Sequence, residues 1–278
     1  MVILFALLSA VSYGAADFLG GLSSRKNPAL SVVAWSQLLG LATALVAAPI
    51  FGAAGLLLSD LLWGIAAGIC GAAGVGILFR GLASGLASIV SPTAAVTGAV
   101  LPVFFGLISG ERPAVLTWIG VALALPAILL LSLERTEMSG NIRSSLKYGL
   151  LSGIAFSGFF ILISQTGEGS GLWPLLAARG ITVPLFFILC LLRKKRLSLT
   201  GKTKGITIIS GVLDMLANMF YLLAVRTGYI ILAVILTALY PGPTVLLQRV
   251  HLKEKLTASR IIGLILAIAG AALIGVGG

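Results

Sequence analysis

Gly110-Glu-Arg-Pro-Ala-Val-Leu-Thr-Trp-Ile-Gly120 returns 143 residues later as Lys253-Glu-Lys-Leu-Thr-Ala-Ser-Arg-Ile-Ile-Gly263. Each stretch sets a glutamate in a short polar break and then enters an apolar run. The same offset carries Ser9 to Ser152, Gly68 to Gly211 and Gly85 to Gly228 with no gap. A membrane span needs roughly 20 apolar residues at about 1.5 Å each. Such runs fall near 2–21, 29–51, 61–82, 86–108 and 114–133, then near 146–166, 172–192, 205–225, 229–250 and 257–276. Each copy therefore holds an odd number of spans, so the second must cross the membrane in the opposite sense. The predicted fold is an all-α membrane protein of ten transmembrane helices in two inverted five-helix repeats. The repeats are residues 1–133 and 146–278, joined by the polar linker 134–145. Inverted repeats enclose a site near mid-membrane and let a protein open alternately to either side.

Composition fits a chain dissolved in lipid. It is 59% hydrophobic and only 10% charged, too few polar groups to cover a soluble fold. The runs are continuously apolar and lack period-two alternation, which favours helices over a barrel. A net charge of +11 raises nucleic acid as a partner. The Lys and Arg sit in short gaps between apolar runs, however, so membrane lipid is the expected partner and nucleic acid is not. Cys70 and Cys190 lie inside apolar runs and read as small buried hydrophobes. The opening segment follows Met1 with no basic stretch and is expected to be a true span, not a cleaved signal.

Charge placement gives a topology. The gaps after spans one, three, five, seven and nine hold Arg25, Lys26, Arg80, Arg135, Arg143, Lys147, Arg193 to Arg196, Lys202, Lys204, Arg249, Lys253 and Lys255, with Arg260 just inside span ten. The opposite side holds Arg112 and Arg226. The positive-inside rule makes the first side cytoplasmic and leaves both termini outside. A multi-pass protein of the cell (inner) membrane is expected.

The helix openings quoted above, with Tyr13-Gly-Ala-Ala-Asp17-Phe-Leu-Gly-Gly21 and Leu239-Tyr-Pro-Gly-Pro243, resemble the EamA-type branch of the drug/metabolite transporter superfamily. The likeness covers nearly the whole chain. It implies a ten-helix carrier with a central cavity between its halves, moving amino acids, other metabolites or drugs, often outward. It also implies cytoplasmic termini, opposite to the charge count, so orientation and direction stay open.

Polar residues inside the spans are the candidates for substrate contact. Asp214 lies near the middle of the eighth span, where a charge costs about 2.5–3.5 kcal/mol on insertion scales. It should face a cavity or a partner, as a proton carrier or as a static packing pair. Asn218 and Tyr221 follow on the same helical face, either touching substrate or bonding a neighbouring helix. Arg179 lies well inside the seventh span at a depth comparable to Asp214. The two either neutralise each other, as latch or as permanent pair, or Arg179 clamps a substrate carboxylate. Tyr13, Trp35, Gln37 and Tyr240 are further candidates for a cavity wall, against the plainer reading of packing. Asp17, nearer the cation-rich end of span one, is a candidate for guarding an entrance, against the plainer reading that it simply reaches water. Pro92 and Pro102 in the fourth span, and Pro241 and Pro243 in the ninth, mark breaks of the kind transporters use near a site, against the plainer reading of tolerated bends; Pro92, Pro241 and Pro243 are the gating candidates.

Other patterns fail. Glu111 and Glu254 sit where helices open, and capping explains them better than chemistry. Small residues four apart, Gly64/Gly68, Gly81/Gly85 and Gly149/Gly153, read as close helix packing. Gly201-Lys202-Thr203 lacks the upstream glycine of a phosphate loop. His251 has no ligand partners, so no metal and no cofactor is expected. No nucleophile–base pair is visible, so the chain is not read as an enzyme. The reading is a monomeric secondary transporter of small metabolites, amino acids or amphipathic drug-like compounds. It would work by alternating access, proton-coupled or by exchange. The alternative is a non-transporting membrane scaffold or sensor.

Overall fold

A computed structural model of the chain describes residues 1–52, 54–84, 86–133, 141–201 and 203–278. Among the described residues every regular element is helical. The order is α1 (Val2–Ser24), α2 (Ala29–Phe51), α3 (Leu58–Ser84), α4 (Ala87–Ile108), α5 (Val115–Leu131), α6 (Ile142–Ser164), α7 (Trp173–Leu192), α8 (Thr203–Arg226), α9 (Ile230–Thr237), α10 (Pro241–His251) and α11 (Ala258–Gly277), with a single 3-10 turn at Glu168–Ser170. Taking α9 and α10 as one crossing, nine described spans are long and apolar enough for a membrane, and α5 is a shorter apolar helix of 17 residues. Gly85, Arg135, Lys202 and residues 134–140 of the expected linker lie outside the described residues. Of the rest of that linker, Asn141 caps α6 by accepting from the Arg143 and Ser144 amides at 2.9 and 3.3 Å. The sixth helix thus starts at Ile142, four residues before the expected 146.

Proline acts differently in the two spans that carry it. The ninth span is broken: α9 ends at Thr237, a tight turn bonds the Tyr240 amide to the Thr237 carbonyl, and Pro241 opens α10. Proline has no amide to extend the preceding turn and suits a first helical position. The fourth span is not interrupted, contrary to expectation. α4 runs through both Pro92 and Pro102 from Ala87 to Ile108, so the lost amide bonds are absorbed within a helix held by its neighbours.

Packing follows the sequence offset. α1 lies on α8 and α3 on α6, while α5 packs against α11 and α2 on both α7 and α8. Ser9 Oγ donates to the Ala217 carbonyl at 2.8 Å, and Ser152 Oγ to the Gly74 carbonyl at 2.9 Å. Both members of the second bond stand 143 positions from their equivalents in the first. A β-carbon on Gly120 would come within 2.7 Å of Ile274, and one on Gly263 within 2.9 Å of Leu131, again the same pair read both ways. Lipid gives no hydrophobic drive between helices, so this close backbone approach is what holds them. Gly68 and Gly211 serve the same end, each 2.6 Å from a facing backbone oxygen (Ala178 and Ser36) at the place a β-carbon would occupy. The outer surface is apolar: Val46, Ile108, Leu192 and Ile268 are all exposed.

Candidate functional site

The helices surround a central cavity of about 530 Å³, walled by α1 to α4, α6 to α8 and the α9–α10 break. α5 and α11 contribute nothing to it. Toward the cation-rich face the lining reaches Gly21, Ser24 and Ala29, of which Gly21 and Ala29 are exposed. Toward the other face it stops at Ala99, Leu175, Asn218 and Thr237, all buried. Beyond them Ile163, Leu172, Ile231 and Ile235 are fully buried. The cavity therefore reaches one face only.

Its polar centre is a cluster across three helices. The Arg179 guanidinium donates to Asp214 Oδ2 at 2.5 Å and also to the Gln37 side-chain oxygen. Thr182 Oγ1 donates to that same oxygen at 2.8 Å. Asn218 turns its amide back to the Asp214 backbone carbonyl at 2.7 Å. Comparable depth on antiparallel neighbours is what brings Arg179 and Asp214 together. Gln37 completes the shell, a residue whose only sequence signal is an amide inside an apolar span. Burying this cation is tolerable because a carboxylate and an amide oxygen meet it.

Asp17 stands apart from that cluster. It is exposed and lines both the central cavity and a smaller one of about 250 Å³, which also holds Tyr240, Pro241, Gln248 and Arg260. Tyr13 and Tyr240 both line the central cavity, their rings 6.2 Å apart and tilted by 58°.

Several expected site residues lie elsewhere. Trp35 does not line the cavity; its indole donates to the Leu197 carbonyl at 2.8 Å and its ring meets Phe187 edge-on at 5.7 Å. It anchors the segment after α7. Tyr221, on the face of Asp214 but two turns further on, is fully buried past the closed end and donates to the Phe160 carbonyl at 3.2 Å. Pro92 is buried within α4, and Pro243 packs under α1 beside Gly14.

The cation-poor face is sealed by polar contacts. Arg226 donates to the carbonyls of Gly171 and Gly167 and to the hydroxyls of Ser170 and Thr166 at 2.8 to 3.3 Å. Asp60 accepts from the Gly167 amide at 3.0 Å. Gly171, at φ +53°, lies against the Gly52 carbonyl, a place with no room for a side chain. Glu111 accepts from the Ile230 and Ile231 amides at 2.6 and 3.1 Å. The expectation that it caps the helix it precedes is therefore corrected: it caps α9, whose first amides lack partners within their own helix. Burial pushes the Glu111 carboxyl up from its ordinary range, and the two amide bonds pull it partly back. On the other face Glu254 is paired instead with Arg25 at 3.5 Å and Arg260 at 3.8 Å.

The model of the EamA-like transporter family matches residues 1–133 and again 143–276. The chain belongs to the EamA-like transporter family. Two successive matches agree with the offset seen in packing, and with the apolar helices they make this EamA protein an integral multi-pass membrane protein. Members of the family are transporters. Among curated proteins no sequence matches the chain. Twenty-nine chains of solved structures match it. One, a crystal structure of a protein, is 17% identical, with a TM-score of 0.76 over 98% of this chain and 95% of its own. At that identity the likeness speaks for the fold alone.

Proposed function

We propose that this EamA protein is a secondary transporter of small organic molecules, working by alternating access between two inverted repeats. Its cation-rich face would be cytoplasmic, in the cell membrane. The observation that carries the reading is the different state of equivalent residues at the two faces. Glu111 is docked on the start of α9, where the cavity is closed. Glu254, its equivalent, is drawn off by Arg25 and Arg260 where the cavity reaches the surface. The residues equivalent to Ile230 and Ile231 are Ala87 and Ser88, the start of α4. Exchange of roles between the halves would dock Glu254 there and free Glu111, closing one face and opening the other. Arg249 stands where Gly106 leaves room for Glu111. A β-carbon at position 106 would already lie 2.7 Å from the docked Glu111 carboxylate, so Glu254 would have to approach α4 along a different line, past the Arg249 side chain. The Ser9–Ala217 and Ser152–Gly74 bonds, and the Gly120–Ile274 and Leu131–Gly263 contacts, support the inverted relation.

Thiol accessibility in proteoliposomes tests this reading. In a Cys70→Ala, Cys190→Ala background, Ser24→Cys and Thr237→Cys are labelled by an impermeant maleimide from either side. Under alternating access, Glu111→Gln lowers labelling at position 24 and raises it at 237 from the opposite side. Parallel changes at both positions, or none, would sink the mechanism.

A further inference from the structure

The charges on the cavity wall do not balance. Asp17, Arg179 and Asp214 are the charged side chains among its described lining residues. Arg179 is held by Asp214 and Gln37. That leaves Asp17 with no ion pair or hydrogen bond from any described residue. Arg260 lines only the smaller cavity and is engaged by Glu254 at 3.8 Å. Asp17 is exposed to the cavity and stays hydrated there, and the described wall carries two carboxylates against one guanidinium.

Two aromatic rings line the same cavity as Asp17. Tyr13 lies one turn before Asp17 on the same face of α1. Tyr240 sits in the α9–α10 break, and it reaches α1 because residue 14 is glycine: a β-carbon there would be 2.6 Å from the Tyr240 carbonyl. A carboxylate with two tilted, electron-rich rings attracts an ammonium by charge and by ring quadrupole together. Apart from the Arg179–Asp214 cluster and a few hydroxyls, the wall is largely apolar, with Phe79, Phe156, Phe159 and Phe186. Its volume of about 530 Å³ lies within the range of small-molecule sites.

The geometry points to an organic cation as cargo, with one ammonium group read by Asp17, Tyr13 and Tyr240 and a flat apolar body against the phenylalanines. This inference rests on the cavity being the cargo site of the proposed transporter. A zwitterion is the poorer fit, because its carboxylate needs the guanidinium that Asp214 and Gln37 already hold. An anion is the poorest.

Binding to the detergent-purified full chain tests it, by calorimetry with 2-phenylethylamine, phenylalanine, 2-phenylethanol and 3-phenylpropanoate. The amine binds at least tenfold more tightly than the other three, and Asp17→Asn weakens it at least tenfold while leaving the protein monodisperse. Tyr240→Leu, which keeps the carboxylate, weakens the amine several-fold and serves where Asp17→Asn does not fold. Equal binding of zwitterion or anion, an amine affinity indifferent to both substitutions, or no binding of the amine by folded protein overturns the assignment. Binding of the amine without uptake into proteoliposomes would remove the transport reading and leave the site. Uptake of an anion instead would do the reverse.

Discussion

Glu111 and Glu254 occupy the same place in the two halves, 143 residues apart, yet one caps a helix and the other pairs with two arginines. A carboxylate on otherwise unpartnered first-turn amides contributes about 0.5–2 kcal/mol, and Glu111 serves two. Glu111→Ala is expected to lower unfolding stability by about that amount, and Glu254→Ala by less, since exposed pairs contribute little. Denaturant unfolding in detergent compares them; equal losses would deny the difference.

The pH dependence of that contact has a definite sign. Burial raises the Glu111 carboxyl above its unfolded value. Its contribution to stability is therefore largest below the unfolded pKa and is lost as pH rises through the folded one. Glu111→Gln cannot ionise, so wild type should lose stability relative to it on going from acid toward neutral. A difference that is flat or grows with pH contradicts the assignment.

Arg179 has 9% of its side chain exposed and Asp214 has 27%. Removing one member of a buried pair costs about 3–5 kcal/mol; Asp214→Asn should lie near the lower end because the carboxylate faces the cavity. Replacing both, with Arg179→Met and Asp214→Leu, should cost less than either change alone. A double-mutant cycle in unfolding reads this directly, and simple additivity would show that the pair is not coupled.

Close backbone contacts should fail equally in both halves. Gly68→Ala and Gly211→Ala each drive a β-carbon to 2.6 Å from a backbone oxygen, and overpacking of this kind costs about 1–3 kcal/mol. Gly180→Ala meets nothing within 4 Å and should be neutral. Melting temperatures of the three variants decide; a neutral Gly68→Ala would mean that α3 and α7 can separate freely.

Arg226 holds four acceptors on the closed face. Arg226→Ala is expected to cost about 2 kcal/mol, the scale of charged hydrogen bonds, and to expose the segment beneath. Leu172→Cys, buried in the parent, should then react with maleimide several-fold faster. Unchanged reactivity would show that the seal lies elsewhere.

The spans were legible in the sequence because lipid demands long apolar runs and leaves few other ways to arrange them. The break before Pro241 was legible for the same chemical reason that proline cannot donate. Depth alone made the Arg179–Asp214 pair one of the readings open in the sequence, since antiparallel neighbours fix the level of each residue, while a clamp on substrate was equally compatible with it. Periodicity, however, states which residues share a face and not what that face meets. Tyr221 shares a face with Asp214 but lies past the closed end, and Trp35 turns toward the segment after α7. Glu111 shows a third limit: its partner amides are 119 and 120 positions away, and only the packed bundle brings them near.

The shortest helix sets a condition on the surroundings. α5 has 17 residues, about 25 Å of helix at about 1.5 Å per residue, against a hydrocarbon layer of about 30 Å. It lies outside the cavity with Val115, Ile119 and Leu129 exposed. The shortfall is met by local thinning of the bilayer or by flanking side chains that reach the interface, at a fraction of a kcal/mol for each ångström of mismatch. Acyl-chain length thus enters the energetics of a surface that no cargo touches, and shorter-chain lipids relieve the strain that longer ones impose along the α5–α11 edge.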